Sequence, residues 1–329
     1  MFENSLYENS YHKVDLTKYS FLVTGGAGFI GSNLVEYLLK FGAKKVRVLD
    51  NLSNGYMENI LPFFGLANFE FIEGDIRDYE TCLNALVDID FVSHQAALGS
   101  IPRSIADPLT TNQVNIDGFL NMLTAVKNSK NVKKIVYAAS SSTYGDSKEL
   151  PKIEGFEGKP LSPYAVTKAV NEMYANVFSN VYEIETIGLR YFNVFGPRQN
   201  PDNPYAAVIP LFIKNLLNDT SPTIHGDGLQ SRDFTFVSNV VKANILAFFD
   251  FKSDQKSEVI NIACGEQITL LDLWNTMTEI SGKNIQPNFN VSRQGDIKHS
   301  LASIEKAKKI IGYFPEVNVR DGLKYLINC

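Results

Sequence analysis

Apolar residues along this chain come in short runs separated by stretches of helical periodicity, and the pattern begins sharply at residue 21. Phe21-Leu22-Val23 reads as a short buried strand; a glycine-rich turn, a helix over 33–41 and a strand over 46–49 follow. The alternation continues with a strand over 69–72, a helix over 79–87, a strand over 91–94 and a helix over 115–128. A strand over 134–138, a helix over 165–180 and a strand over 184–189 complete the run. Strands and helices alternating through short turns predict an α/β protein, a doubly wound parallel sheet with helices on both faces.

Beyond Leu189 the rhythm loosens, and Pro197, Pro201, Pro204 and Pro210 punctuate a loop-rich stretch. A helix over 237–249 and a strand over 258–263 are expected to return to the sheet, and 304–311 reads as a further helix. The expected division is an N-terminal extension (1–19), a dinucleotide-binding domain (20–196 with 237–268) and a smaller α/β substrate-binding domain (197–236 with 269–329). Residues 1–19 read as an arm or short helix tied down through Leu6, Tyr7 and Tyr11, with no role of their own that the sequence discloses.

Composition narrows the function. With 44% hydrophobic residues, 22 Phe and 15 Tyr, the chain is not intrinsically disordered. A net charge of −5 with no basic tract speaks against nucleic acid as a partner. Three widely spaced cysteines (Cys82, Cys264, Cys329) suggest neither a disulfide framework nor a zinc site, and four scattered histidines offer no metal-ligand spacing. No metal is expected. No apolar run approaches a membrane span and the N-terminus carries no signal-like segment, so the cytoplasm is the expected location.

Two local patterns carry chemistry. Thr24-Gly25-Gly26-Ala27-Gly28-Phe29-Ile30-Gly31 lies between the first strand and a helix. Glycines at 25, 28 and 31 permit a tight turn and close approach to a pyrophosphate, which the helix N-terminus attracts. Asp50 ends the second strand, where a carboxylate bonds ribose hydroxyls and repels a 2′-phosphate; NAD is therefore favoured over NADP. The second pattern is Tyr164-Ala165-Val166-Thr167-Lys168, with Tyr and Lys on one helix face, downstream of the serine-rich turn Ser140-Ser141-Ser142. A neighbouring ammonium is expected to lower the phenol's pKa, giving a base for a hydroxyl proton while hydride leaves the same carbon.

These residues, with Asp75, Asn115, His94-Gln95-Ala96-Ala97, Tyr191-Phe192-Asn193 and Ser231-Arg232-Asp233-Phe234, resemble the extended short-chain dehydrogenase/reductases over nearly the whole chain. Within them the chain is similar to nucleotide-sugar 4-epimerases, above all the UDP-N-acetylglucosamine 4-epimerases of the WbpP type used in surface-polysaccharide synthesis. The resemblance implies a Rossmann sheet holding NAD and a transient 4-keto sugar. It implies Ser140, Tyr164 and Lys168 as catalytic residues. Cofactor contacts are implied for Gly25, Gly28, Phe29, Ile30, Gly31, Asp50, Asn51, Asp75, Ile76, Gln95, Ala96, Ala97, Asn115, Tyr164, Lys168 and Tyr191.

Substrate contacts are implied for Gly99, Ser100, Arg103, Ser141, Ser142, Asn193, Gln199, Ala207, Val208, Arg232, Arg293, Asp296 and Ser300. Where dehydratases of this superfamily carry acids after the catalytic hydroxyl, Ser141-Ser142 stand here, which argues against 4,6-dehydration. Small Ser300 leaves room for an N-acetyl group, whereas Arg103 would suit a carboxylate at C6, so UDP-GlcNAc, UDP-GalNAc and their uronic acids all stay open. The rivals are a UDP-glucuronate epimerase or decarboxylase and a non-catalytic module that senses a nucleotide sugar. The helices 115–128 and 165–180 match those that pair in the family's homodimers.

Overall fold

The computed structural model describes residues 2, 5–202, 206–291 and 298–328. Its centre is a seven-stranded, wholly parallel sheet. The strands are β1 (Ser20–Thr24), β2 (Lys45–Asp50), β3 (Phe69–Glu73), β4 (Phe91–His94), β5 (Lys134–Ser140), β6 (Glu185–Tyr191) and the strand Ser257–Ile262. They run in the order Ser257–Ile262, β6, β5, β4, β1, β2, β3. The chain moves outward from β1 to β3, then returns to place β4 on β1's other side. The connections leaving β1 and β4 run in opposite directions there, and the crevice beyond the carboxyl ends of these two strands is where a doubly wound sheet binds ligands.

Helices α1 (Phe29–Lys40) and α8 (Val237–Phe249) cover one face, and α2 (Tyr79–Ala85), α5 (Gly118–Asn128) and α6 (Pro163–Tyr182) the other. The central strands are buried on both sides, which is why they read as continuous apolar runs rather than alternating ones. A third core surrounds Trp274 and joins α7 (Val208–Leu217), α9 (Leu270–Ser281) and α11 (Val319–Asn328). Helix α10 (Glu305–Ile311) packs its buried side on the first core. Among the described residues no helix is long and apolar enough to cross a membrane.

Helix α1 starts at Phe29 rather than at 33, because Gly28 caps it within the glycine turn. Two short helices, α3 (Ile101–Ala106) and α4 (Pro108–Asn112), lie between β4 and the helix read over 115–128. Each has proline in its first turn and a side-chain cap, from Ser100 and Asp107, a local signal that their short length obscures. The helix read over 115–128 splits into a π-helical turn, Gln113–Asp117, and α5.

The outer surface of α6 exposes Met173, Val177 and Val181, and that of α3 and α4 exposes Ile101, Ile105 and Leu109. Helix α5 carries none of the exposed large apolar residues, since it packs against α2 and α6.

Candidate functional site

A cleft of about 450 Å³ opens at the carboxyl ends of β1, β2, β4 and β5, within the usual size of a small-molecule site. At its floor is the glycine turn. Gly25 has φ +66°, and a Cβ there would stand 2.7 Å from the Ala96 nitrogen; at Gly31 it would stand 2.2 Å from the Gly25 carbonyl oxygen. Neither position admits a side chain. Gly28 offers no side-chain cap to α1, so first-turn N–H groups, with Phe29, Ile30 and Gly31 on the wall, are free for an anionic ligand.

Asp50 closes the next part of the wall. One carboxylate oxygen accepts from the Ala27 N–H (2.9 Å) and the other from Leu52 (2.8 Å), leaving further lone pairs for a ligand. Burial raises its pKa while the two backbone donors oppose the rise. Gly55 crosses so near that a Cβ there would lie 2.9 Å from both carboxylate oxygens. A 2′-phosphate would therefore meet a buried acid with backbone packed over it, and the chain fits NAD.

Farther along, Asn51 donates to Asp75 (2.9 Å), and the Arg77 guanidinium holds the Asp75 carboxyl down at about 2. Ile76 lies against Gly118. Gln95, Ala96 and Ala97 line the opposite wall, where Tyr191 donates to Gln95 (3.3 Å) and Asn244 donates to Tyr191 (2.9 Å).

Ser140, Tyr164 and Lys168 meet on this cleft. Ser140 sits at the end of β5 and caps the turn that follows, its hydroxyl accepting from the Ser142 N–H (3.2 Å). Tyr164 is in the first turn of α6, which Ser162 caps and Pro163 begins. Lys168, one turn on, is buried, with its ammonium 5.9 Å from the Tyr164 ring centre.

The expected lowering of the phenol's pKa by Lys168 is not what this arrangement produces. The enclosing protein raises the Tyr164 pKa, and the Ser140 hydroxyl is the group that pulls it back. Lys168 instead donates to the Ala138 carbonyl (2.7 Å), and its own pKa is pushed down to about 8 by burial, against the opposing pull of Glu172. Removal from water outweighs the one neighbouring charge.

Gly99, Arg103, Asn193, Gln199 and Ala207 also line the cleft. Several other expected contacts lie elsewhere. Asn115 is buried off this wall; its amide oxygen accepts from the Leu98 N–H (2.8 Å), and its N–H₂ donates to the Leu98 carbonyl (3.2 Å) and to Thr167 (3.1 Å). It joins the wall loop to α6. Ser100, Ser141, Ser142, Val208, Arg232 and Ser300 are off this wall too. Ser100 caps α3, Val208 opens α7, and the Ser142 hydroxyl is buried with no partner among the described residues. Arg232 donates to the Ser231 carbonyl (2.9 Å), to which the Ser300 N–H also donates (3.1 Å). Arg293 and Asp296 lie outside the described residues.

The sequence reading missed Tyr56, Arg198 and Asn200 on the wall. Arg198 pairs with Glu36 and donates to the Ser32 carbonyl (3.1 Å), and Asn200 donates to Tyr56. The signal was the glycine- and proline-punctuated loop that carries two of them, which names no partner. Also missed was Arg190, buried beneath the Ser140 turn between Glu172 (2.7 Å) and Glu157, with Tyr144 against its guanidinium.

Comparison with known proteins agrees with this geometry. Residues 21–263 match the model of the NAD dependent epimerase/dehydratase family. A putative UDP-glucose 4-epimerase of Methanocaldococcus jannaschii is 36% identical over 311 residues, covering 93% of this chain and 97% of that protein. The structure of a UDP-N-acetylglucosamine 4-epimerase from Methanobrevibacter ruminantium M1, in complex with UDP-N-acetylmuramic acid, is 42% identical with a TM-score of 0.86, covering 94% of this chain and 98% of that one. A UDP-glucuronic acid 4-epimerase from Bacillus cereus, in complex with UDP-glucuronic acid and NAD, is 35% identical with a TM-score of 0.85 over the same shares of the two chains. A parallel sheet with a glycine turn after β1, an acid ending β2 and a Ser-Tyr-Lys set on one cleft thus accompany a match over most of the length, and the chain belongs to the NAD dependent epimerase/dehydratase family.

Proposed function

We propose that this NAD-dependent UDP-sugar 4-epimerase acts on a UDP-N-acetylhexosamine, interconverting UDP-GlcNAc and UDP-GalNAc for surface-polysaccharide synthesis in the cytoplasm. The observation that carries the chemistry is the convergence of Ser140, Tyr164 and Lys168 on the cleft that also holds the glycine turn and Asp50. In this reading residues 20–196 with 237–268 hold NAD, and 197–236 with 269–329 hold the nucleotide sugar. The chemistry NAD supplies when bound is reversible hydride acceptance at the sugar C4.

The chain's own residues manage the proton. Tyr164 takes it from the 4-hydroxyl and returns it after the sugar has turned over. Ser140, beside the phenol, holds the reacting oxygen and eases the phenol's ionisation. Lys168, anchored on Ala138, would hold the nicotinamide ribose. Asn193 on the cleft wall would bind the sugar diphosphate, and Gln199 and Ala207 would line the sugar pocket. The UDP-N-acetylglucosamine 4-epimerase relative supports the N-acetyl reading.

Arg103 on the wall supports a second substrate with a carboxylate at C6. The apolar stripes of α6 and of α3–α4 support a homodimer.

The test is a proton NMR time course with UDP-GlcNAc and, separately, its 6-carboxylate, without added NAD. A galacto anomeric signal from UDP-GlcNAc is expected. No epimer from either substrate, with NAD then added, would retire the N-acetylhexosamine reading.

A further inference from the structure

Residues 5–19 lie outside the sheet, yet they pack tightly against α1 and the cores. Tyr7 and Leu16 are fully buried, and Leu6 touches both the first core and the core around Trp274. Tyr11 stacks on Tyr37 of α1 with ring centres 5.1 Å apart. The Tyr37 hydroxyl accepts from the Tyr11 N–H at 2.6 Å and lies 2.7 Å from the His12 Nδ1. The arm therefore grips the face of α1 that turns away from the sheet.

The same face of α1 holds a piece of the cleft wall. Among the described residues, no backbone hydrogen bond joins residues 197–202 to the rest of the fold. Pro197 and Pro201 have no N–H to give, and Arg198 sits at φ +69°, where a non-glycine residue is strained. Side chains must do the anchoring. Asn33 is fully buried; its amide N–H₂ donates to the Pro197 carbonyl (3.2 Å) and the Phe29 carbonyl (2.9 Å), while its oxygen accepts from the Tyr7 hydroxyl (3.4 Å). Arg198 reaches Ser32 and Glu36 on the same helix.

We propose that the N-terminal arm braces the sugar-side wall of the cleft, with Tyr7 and Asn33 as positioning residues that hold the 197–200 loop against α1. The assignment of this loop to the sugar rests on the function proposed above. The brace explains why α1 carries a fully buried asparagine whose amide reaches both the arm and the loop. It also couples the arm to the wall through one side chain.

The test compares Asn33→Ala and Tyr7→Phe with the parent as full-length holoenzymes. Hydrogen exchange over 196–202, KM and kcat for UDP-GlcNAc, and NAD affinity are measured. Loss of the Asn33 bond to Pro197 is expected to speed exchange in that segment about fivefold. KM should rise by a similar factor, with kcat moved less and NAD affinity unchanged. Tyr7→Phe keeps the buried ring and should move exchange and KM the same way by a smaller factor, which keeps the test alive if the alanine variant does not fold. Unchanged exchange at 196–202 in the folded variants would overturn the brace, as would faster exchange spread over the chain with a matching loss of NAD. The exchange arm uses no sugar. If UDP-GlcNAc is not turned over while exchange responds as expected, the substrate reading fails and the brace stands.

Discussion

Replacing Lys168 by Met should make the protein more stable and inactive. The lysine is 3% exposed, and its ammonium is held at about 8 against an ordinary 10.5, first by burial. That gap corresponds to about 3 kcal/mol by which the charged form destabilises the fold at neutral pH. Methionine fills a similar volume without the charge, at the expense of the hydrogen bond to the Ala138 carbonyl, worth about 1 kcal/mol. The expected gain is therefore about 2 kcal/mol at pH 7.

The pH dependence fixes the cause. With a folded pKa below the unfolded one, the unfolded chain binds more protons between about 8 and 10.5, so parent stability rises with pH across that window. The advantage of the Met variant should be full below pH 8 and shrink to near zero by about pH 9.5. Urea unfolding at pH 7 and 9.5, with matched NAD occupancy, measures both. A Met variant less stable than the parent at pH 7, or an advantage that does not change with pH, would refute the account.

Other outcomes follow from the same geometry. Tyr164→Phe should lower epimerisation by about 10²–10⁴-fold while the purified protein still releases NAD on denaturation. Ser140→Ala should move the acid limb of the kcat profile to higher pH, because the hydroxyl that lowers the Tyr164 pKa is gone; an unmoved limb would count against that role. Gly31→Ala places a carbon 2.2 Å from the Gly25 carbonyl oxygen, so released nucleotide measured by absorbance should fall to background. Arg190→Met strands Glu172 and Glu157 without their shared guanidinium and should lower stability by about 3–5 kcal/mol, read from the urea midpoint.

Much of the site was legible because its signals are local. The glycines of residues 25–31, the acid at the end of β2 and the four-residue step from Tyr164 to Lys168 each need only the turn or helix that contains them. The direction of the Tyr164 pKa was not legible, because it depends on how much protein encloses the phenol and on where the Lys168 ammonium is anchored. Nor were the partners of Asn115 legible: the sequence places it near the wall loop but does not show that its amide bonds Leu98 and Thr167. Helices α3 and α4 were hidden by their length, too short for a periodic pattern to declare itself.

The order of strands and helices, the glycine turn and the pairing of Tyr164 with Lys168 follow from the sequence, since alternation, steric freedom and helical pitch act over a few residues. Only the tertiary structure decided which partners distant residues found. It brought Arg190 between Glu157 and Glu172 and gave buried Asp233 three backbone donors from Cys264, Gly265 and Ala302. It also carried the N-terminal arm onto α1 and, through Asn33, to the cleft wall. Those contacts join residues tens to more than a hundred positions apart, and each forms because a buried polar group must be satisfied by whatever folding brings beside it.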